Sequence, residues 1–117
     1  MSERSDCIFC RIADGELPAT FLHESGSAVA FRDLDPKAPV HVLVIPRRHI
    51  ASVNDVTAAD AAVMGELFDV ARRVAAAEGI ADSGYRLVVN TGTAANQTVQ
   101  HVHVHVLGGR DMRWPPG

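Results

Sequence analysis

A chain of 117 residues, 47% of them hydrophobic and with mean hydropathy +0.05, suffices for one domain with an ordinary core and is too short for two. A formal charge of −3, a pI near 6.0 and the lack of any Lys/Arg cluster argue against a nucleic-acid partner, so an anionic ligand has to be held by local donors. The polar start from Met1 to Asp6 is followed by no apolar run and no stretch reaches membrane-span length, which predicts no signal peptide, no membrane partner and a cytoplasmic protein.

In chain order, residues 1–6 read as a flexible N-terminus, and Cys7 to Ala13 as a short helix with Ile8, Phe9 and Ile12 on one apolar side, stopped by Asp14-Gly15 and Pro18. Ala19 to Glu24 and Ala28 to Asp33, joined by Ser25-Gly26-Ser27, read as a β-hairpin. Leu34 to Pro39 is loop, because its two prolines do not fit a central strand. Val40 to Ile45 is the most apolar strand and is placed centrally, ended by Pro46, with His41 on the same side as Leu43 and Ile45. After the basic turn Arg47-Arg48-His49-Ile50, the capping signal Thr57-Ala58-Ala59-Asp60 opens a helix. Its apolar stripe is Val63, Leu67, Val70, Val74 and Ala77, and Gly79 stops it.

Tyr85 to Asn90 is a fourth strand, and Thr91 to Thr98 a loop rich in Gly, Asn and Thr. The fifth strand, Gln100 to Gly109, alternates His101, His103 and His105 with Val102, Val104 and Val106, so period two puts the imidazoles on one face and the valines in the core. Arg110 to Gly117 is an extended tail whose Trp114 needs somewhere to dock. There is no repeat and no sign of a second core. Strands paired by short turns with one long helix on one face give an α+β fold with a mainly antiparallel sheet.

Three of the chain's six histidines share that last strand. Neighbouring rings two residues apart are separated by about 6.5–7 Å, which sets His101 and His105 about 13 Å apart, too far to share one metal. The alternatives are a solvated His-rich face or a groove holding a ligand with several polar groups, and half of all histidines in one register favours the groove. The 91–98 loop brings its amides and hydroxyls alongside. It lacks the Gly-Lys-[Ser/Thr] of a P-loop, so a phosphate site and a plain turn are equally consistent with it. With phosphate held there, His103 is the candidate nucleophile, its other ring nitrogen tied to an acceptor, while His105, Asn90 and loop amides meet the developing charge. Asp33 is placed to bind the paired hydroxyls of a ribose or is an exposed strand end. Cys7 and Cys10 fit two corners of a tetrahedral zinc site completed by His49 and His101; a redox pair and two unliganded thiols are the other readings.

These residues resemble a known family. His101-Val102-His103-Val104-His105-Val106-Leu107-Gly108-Gly109 is similar to the histidine triad signature His-φ-His-φ-His-φ-φ, with φ apolar. Cys7 to Ile12, His41 to Ile50, Gly84 to Asn90 and the ending Trp114-Pro115-Pro116-Gly117 resemble its Hint branch, the histidine triad nucleotide-binding proteins, over nearly the whole chain. The resemblance implies a single HIT domain over 1–117, and a homodimer whose two five-stranded sheets join into one of ten strands. It also implies hydrolysis of purine nucleoside 5′-phosphoramidates or acyl-nucleotides to AMP or GMP. It assigns His103 as nucleophile supported by His105 and His41. Asn90, Gln97 and Thr98 fall at the phosphate and leaving group, Thr98 standing where Hint proteins commonly have Ser, and Val99 is assigned to nucleotide binding. Ile8, Phe9, Ile12, Leu17, Phe31, Asp33 and Leu34 are assigned to the nucleoside pocket, and Trp114 to the partner subunit's site. Zinc-containing relatives match at Cys7, Cys10, His49 and His101; many Hint proteins lack the cysteines. A dinucleoside polyphosphate hydrolase and a nucleotide-binding regulatory adaptor with incidental hydrolysis are the competing functions.

Overall fold

The computed structural model describes residues 6–117; apart from Asp6, the N-terminal stretch expected to be flexible lies outside the described residues. The elements are α1 (Ile8–Ala13), β1 (Phe21–Glu24), β2 (Ala28–Arg32), β3 (Val40–Pro46), α2 (Ala61–Ala77), β4 (Tyr85–Val88) and β5 (Val104–Gly108), with short 3-10 turns at Val53–Asp55, Ala58–Asp60 and Thr93–Ala95. The strands form one antiparallel sheet in the order β1-β2-β3-β5-β4, so β3, the most apolar strand, is central as expected.

Period two assigns the two sheet faces. Ala28 and Ala30 of β2, Val42 and Val44 of β3 and Val104 and Val106 of β5 face α2, where Leu67, Val70, Ala71, Val74 and Ala75 meet them. The α2 stripe differs from the expected one at its end: Ala77 is exposed, and Ile80, beyond the helix, closes the core instead. The expected cap at Thr57 is present as a capping box, with Thr57 Oγ1 accepting from the Ala59 N–H and the Asp60 carboxylate accepting from the Thr57 N–H at 2.9 Å, but it serves a 3-10 turn from which α2 starts at Ala61. Gly79, at φ 78°, ends the helix, since the Ile80 N–H must reach back to the Ala75 carbonyl.

The opposite sheet face holds a buried cluster that the sequence reading, seeing no second core, did not anticipate. Val29, Phe31, Leu43 and Ile45 pack there under Cys7, Phe9, Cys10 and Ala13 of the α1 segment. Both faces of β2 and β3 are therefore covered, one by a long helix and the other by a helix of six residues. So short a helix is not stable by itself and depends on those contacts.

Four strands are shorter than expected. β1 and β2 lose Ala19, Thr20 and Asp33, β4 stops at Val88, and β5 begins only at Val104, so His101 and His103 precede the ladder rather than lying in it. For β5 the cause is Pro46, which has no N–H to offer a further rung and whose carbonyl accepts from His101 Nε2 at 2.8 Å. The Val102 N–H instead goes to the Ile50 carbonyl at 2.6 Å. A row of three equivalent imidazoles on one strand face does not form.

Candidate active site

The sheet face that carries Leu43 and Ile45 continues toward the other end of β3 as His41, and on the neighbouring strand as His105, which pairs with Leu43. Their imidazoles meet. The Lys37 N–H donates to His41 Nδ1 at 3.0 Å, so a neutral His41 carries its hydrogen on Nε2. That Nε2 donates to His105 Nδ1 at 2.9 Å, with Asp33 Oδ2 3.4 Å from the same nitrogen. His105 must then carry its hydrogen on Nε2, and this buried atom has no hydrogen-bond partner. Burial lowers the pKa of His41, opposed by Asp33. Burial, reinforced by His103 and His41, lowers that of His105 to about 4, so both rings are neutral at pH 7 and the tautomers hold.

His103 stands beside this pair, its ring centroid 4.9 Å from that of His105. Its Nδ1 donates to the His101 carbonyl at 2.8 Å, which leaves Nε2 as a free lone pair. Phe9 packs edge-on against it, centroids 5.2 Å apart at 90°. The cleft in front of these rings, about 450 Å³, is lined by His41, His103, His105, Asp33, Asn90 and Thr98, together with residues the sequence reading did not single out: Asp35, Lys37, Val88, Asn96 and Leu107. Asn96 takes a left-handed conformation, φ 69°, a role its type permits and which was the available signal for it. Asp33 Oδ1 accepts from the Asp35 N–H at 2.8 Å, a turn that fixes the carboxylate at the cleft rim.

Other expected residues fall elsewhere. Ile12, Phe31 and Leu34 line an apolar recess of about 290 Å³ with Pro18, Ala19, Thr20, Leu22 and Arg32, and Leu34 is fully exposed there. Phe9 is buried behind His103, and Leu17 is half-buried without lining either cavity. Ile8 and Val99 line a different cleft, of about 440 Å³, with Asp6, Cys7, His49, Ala51, Thr98 and Gln100; Thr98 is shared with the histidine cleft. Gln97 does not line the histidine cleft. It is buried and braces the loop, its Oε1 accepting from the Gly92 N–H at 3.0 Å and its Nε2 donating to the carbonyls of Ala51 at 2.8 Å and Val99 at 3.0 Å. Trp114 is exposed on the tail, which is held through Arg86 donating to the Arg113 carbonyl.

Among the described residues, two groups of side chains bring potential metal-ligand atoms within 4.8 Å of one another: Cys7, Cys10, His49 and His101, and Asp33, His41 and His105. Tautomers separate them. His101 Nε2 donates to Pro46 O, so its Nδ1 lone pair faces Cys7 Sγ at 3.2 Å and Cys10 Sγ at 3.5 Å, and His49 Nδ1 lies 3.3 Å from Cys10 Sγ. A tetrahedral ion with bonds of about 2.0–2.3 Å requires donor separations of about 3.3–3.8 Å, so this set fits one. The thiols are not joined as a disulfide. In the second group His41 Nε2 carries a hydrogen because Nδ1 is already an acceptor, so it has no lone pair for an ion unless the Lys37 bond breaks.

The model of the HIT domain family matches residues 14–112. An uncharacterized HIT-like protein of Synechococcus elongatus is 49% identical over 117 residues, covering 100% of both chains. A HIT family hydrolase from Legionella pneumophila superposes with TM-score 0.93 at 48% identity, over 96% of this chain and 100% of that one. A histidine triad nucleotide-binding protein from Candida albicans superposes with TM-score 0.80 at 30% identity, over 96% of this chain and 85% of that one. A family match over most of the chain and relatives at this identity have one reading: the chain belongs to the HIT domain family.

Proposed function

We propose that the protein is a hydrolase of purine nucleoside 5′-phosphoramidates or acyl-nucleotides, acting through a nucleotidyl-His103 intermediate. The observation that carries this reading is the chain of tautomers from Lys37 through His41 to His105, which ends in an N–H with no protein acceptor beside a nucleophilic nitrogen with no protein donor. A phosphoryl group supplies what both lack: an oxygen for His105 Nε2–H and an electrophile for His103 Nε2. The Legionella relative is named a hydrolase and the Candida relative nucleotide-binding, which supports the same class.

In the proposed step His103 Nε2 attacks phosphorus, the P–Nε2 bond forms, and the bond to the leaving amine or acyl oxygen breaks. The leaving amine takes its proton from Thr98. The charge gained by the imidazole is met by the His101 carbonyl, which accepts from Nδ1 at 2.8 Å. Water then attacks phosphorus and returns a proton to Thr98, the P–Nε2 bond breaks, and AMP or GMP leaves with His103 neutral again. Asp33 binds the ribose hydroxyls, and the apolar recess by Ile12 and Phe31 takes the base. Cys7, Cys10, His49 and His101 would hold zinc, whose contribution is a structural cross-link. We further assign a cytoplasmic homodimer joined along the edge strand β4, with each Trp114 reaching the other subunit's site.

His103→Ala is expected to abolish turnover of an adenosine phosphoramidate while AMP binding stays measurable, and undiminished turnover refutes the mechanism. Faster cleavage of diadenosine triphosphate than of an AMP-lysine conjugate points instead to a polyphosphate hydrolase. Binding without turnover of either points to an adaptor.

A further inference from the structure

We propose that Cys7, Cys10 and His49 are positioning residues for the nucleophile: by fixing His101 and Phe9 around a bound metal ion, they hold His103 in its reactive tautomer. The inference rests on the functional reading above for the role of His103, and on geometry for the coupling.

The carbonyl that orients His103 belongs to His101, and both residues lie before the first rung of β5, where Val104 pairs with Val44. The sheet ladder therefore does not hold that carbonyl in place. What holds it is the His101 side chain, completely buried, with Nε2 on the Pro46 carbonyl and Nδ1 against both thiols. A backbone bond from the Val102 N–H to the Ile50 carbonyl adds to this. The second restraint on the nucleophile comes from the same cluster. Phe9 lies between the two cysteines in sequence, and its ring meets His103 at 5.2 Å, His101 at 5.9 Å and Phe31 at 5.7 Å, always edge-on. The helix that carries Phe9 has six residues, and its first turn is capped by Cys7 Sγ, which accepts from the Cys10 N–H at 3.4 Å. Cross-linking Cys7, Cys10, His49 and His101 through one ion thus fixes a carbonyl at Nδ1 and an aromatic edge against the ring. Removing the ion leaves the tautomer of His103 to choose between that carbonyl and solvent.

The test uses the full chain loaded with one equivalent of Zn2+, the chelated and Zn2+-restored protein, the Cys7→Ser/Cys10→Ser double variant and the milder His49→Ala. Three quantities are measured: the single-turnover rate of His103 nucleotidylation, the dissociation constant of AMP, and the His103 ring tautomer from long-range 1H–15N spectra. Support for outer groups of this kind is worth about 10–100-fold, so metal loss or either variant is expected to slow nucleotidylation by about that factor while AMP affinity changes less than about threefold. His103 should pass from a single Nδ1–H tautomer to an exchanging mixture, and Zn2+ should restore both readouts in the chelated protein. A merely structural role weakens AMP binding and slows nucleotidylation together and leaves the tautomer of the folded fraction unchanged; that result overturns the proposal. So does failure of the protein to bind Zn2+, or a folded His49→Ala variant with the full nucleotidylation rate. If the double variant does not fold, the chelated protein and His49→Ala decide. If the loaded wild-type protein forms no nucleotidyl-His103, the functional reading fails, whereas the tautomer comparison still decides the positioning role.

Discussion

Acidification is expected to destabilise the fold through His105. In the folded protein the pKa of this ring is lowered to about 4, first by burial and then by His103 and His41. In the unfolded chain it is about 6.5. Between these values the unfolded state binds more protons than the folded one, so stability is fully present above about pH 6.5 and is lost as the pH falls toward 4. The undiscounted linkage is 6.5 minus 4, or 2.5 pH units, at about 1.4 kcal/mol each, which is about 3.5 kcal/mol. Because His105 is only partly buried, solvent screening reduces this to about 2 kcal/mol. With a urea slope of about 1.5 kcal/mol/M for a domain of this size, the midpoint should fall by about 1.3 M between pH 7 and pH 4. The assay is urea unfolding across that range for the wild-type protein and His105→Gln at one protein concentration. Subtracting the two curves cancels the acid sensitivity of groups that His105 does not touch. The reasoning is refuted if the two proteins lose stability in parallel, or if the wild-type protein gains stability on acidification.

Two further predictions concern the scaffold. Thr57→Ala removes the side-chain acceptor for the Ala59 N–H and should cost about 1 kcal/mol in urea unfolding, with turnover unchanged. A Cβ at Gly108 would lie 2.5 Å from Ile80 Cδ1, so Gly108→Ala should destabilise by about 1–3 kcal/mol. Adding Ile80→Val, which deletes that Cδ1, should recover part of the loss in the same assay; additive losses would argue against the clash.

The fold was legible in proportion to how local its determinants are. Alternation in Val40–Pro46 and in Val104–Val106 fixed which residues face α2, and the spacing of Leu67, Val70 and Val74 fixed the matching helix face. Strand ends were less legible because they depend on partners. Nothing near His101 says that a proline 55 residues away withholds the next rung and takes its ring N–H. The site divides in the same way. Residue type and period pointed to the histidines and to the four metal-binding candidates, which converge within 4.8 Å. By contrast Gln97 became a brace through bonds to Gly92, Ala51 and Val99, a fate its side chain gives no hint of. Ile8 was grouped with Phe9 and Ile12 by apolarity, but consecutive positions on a helix face different ways, and Ile8 turns to the cleft beside the cysteines.

The histidine relay starts at a main-chain amide, that of Lys37, and this gives the site an unusual tolerance. Every residue except proline supplies the same N–H, so the side chain at this position is free to vary without breaking the hydrogen bonds of the relay. That side chain lines the cleft, where its ammonium pairs with Asp35 in full view of solvent. Selection can therefore retune the charge at the mouth of the site, and with it the choice of substrate, while the chemistry beneath is inherited unchanged.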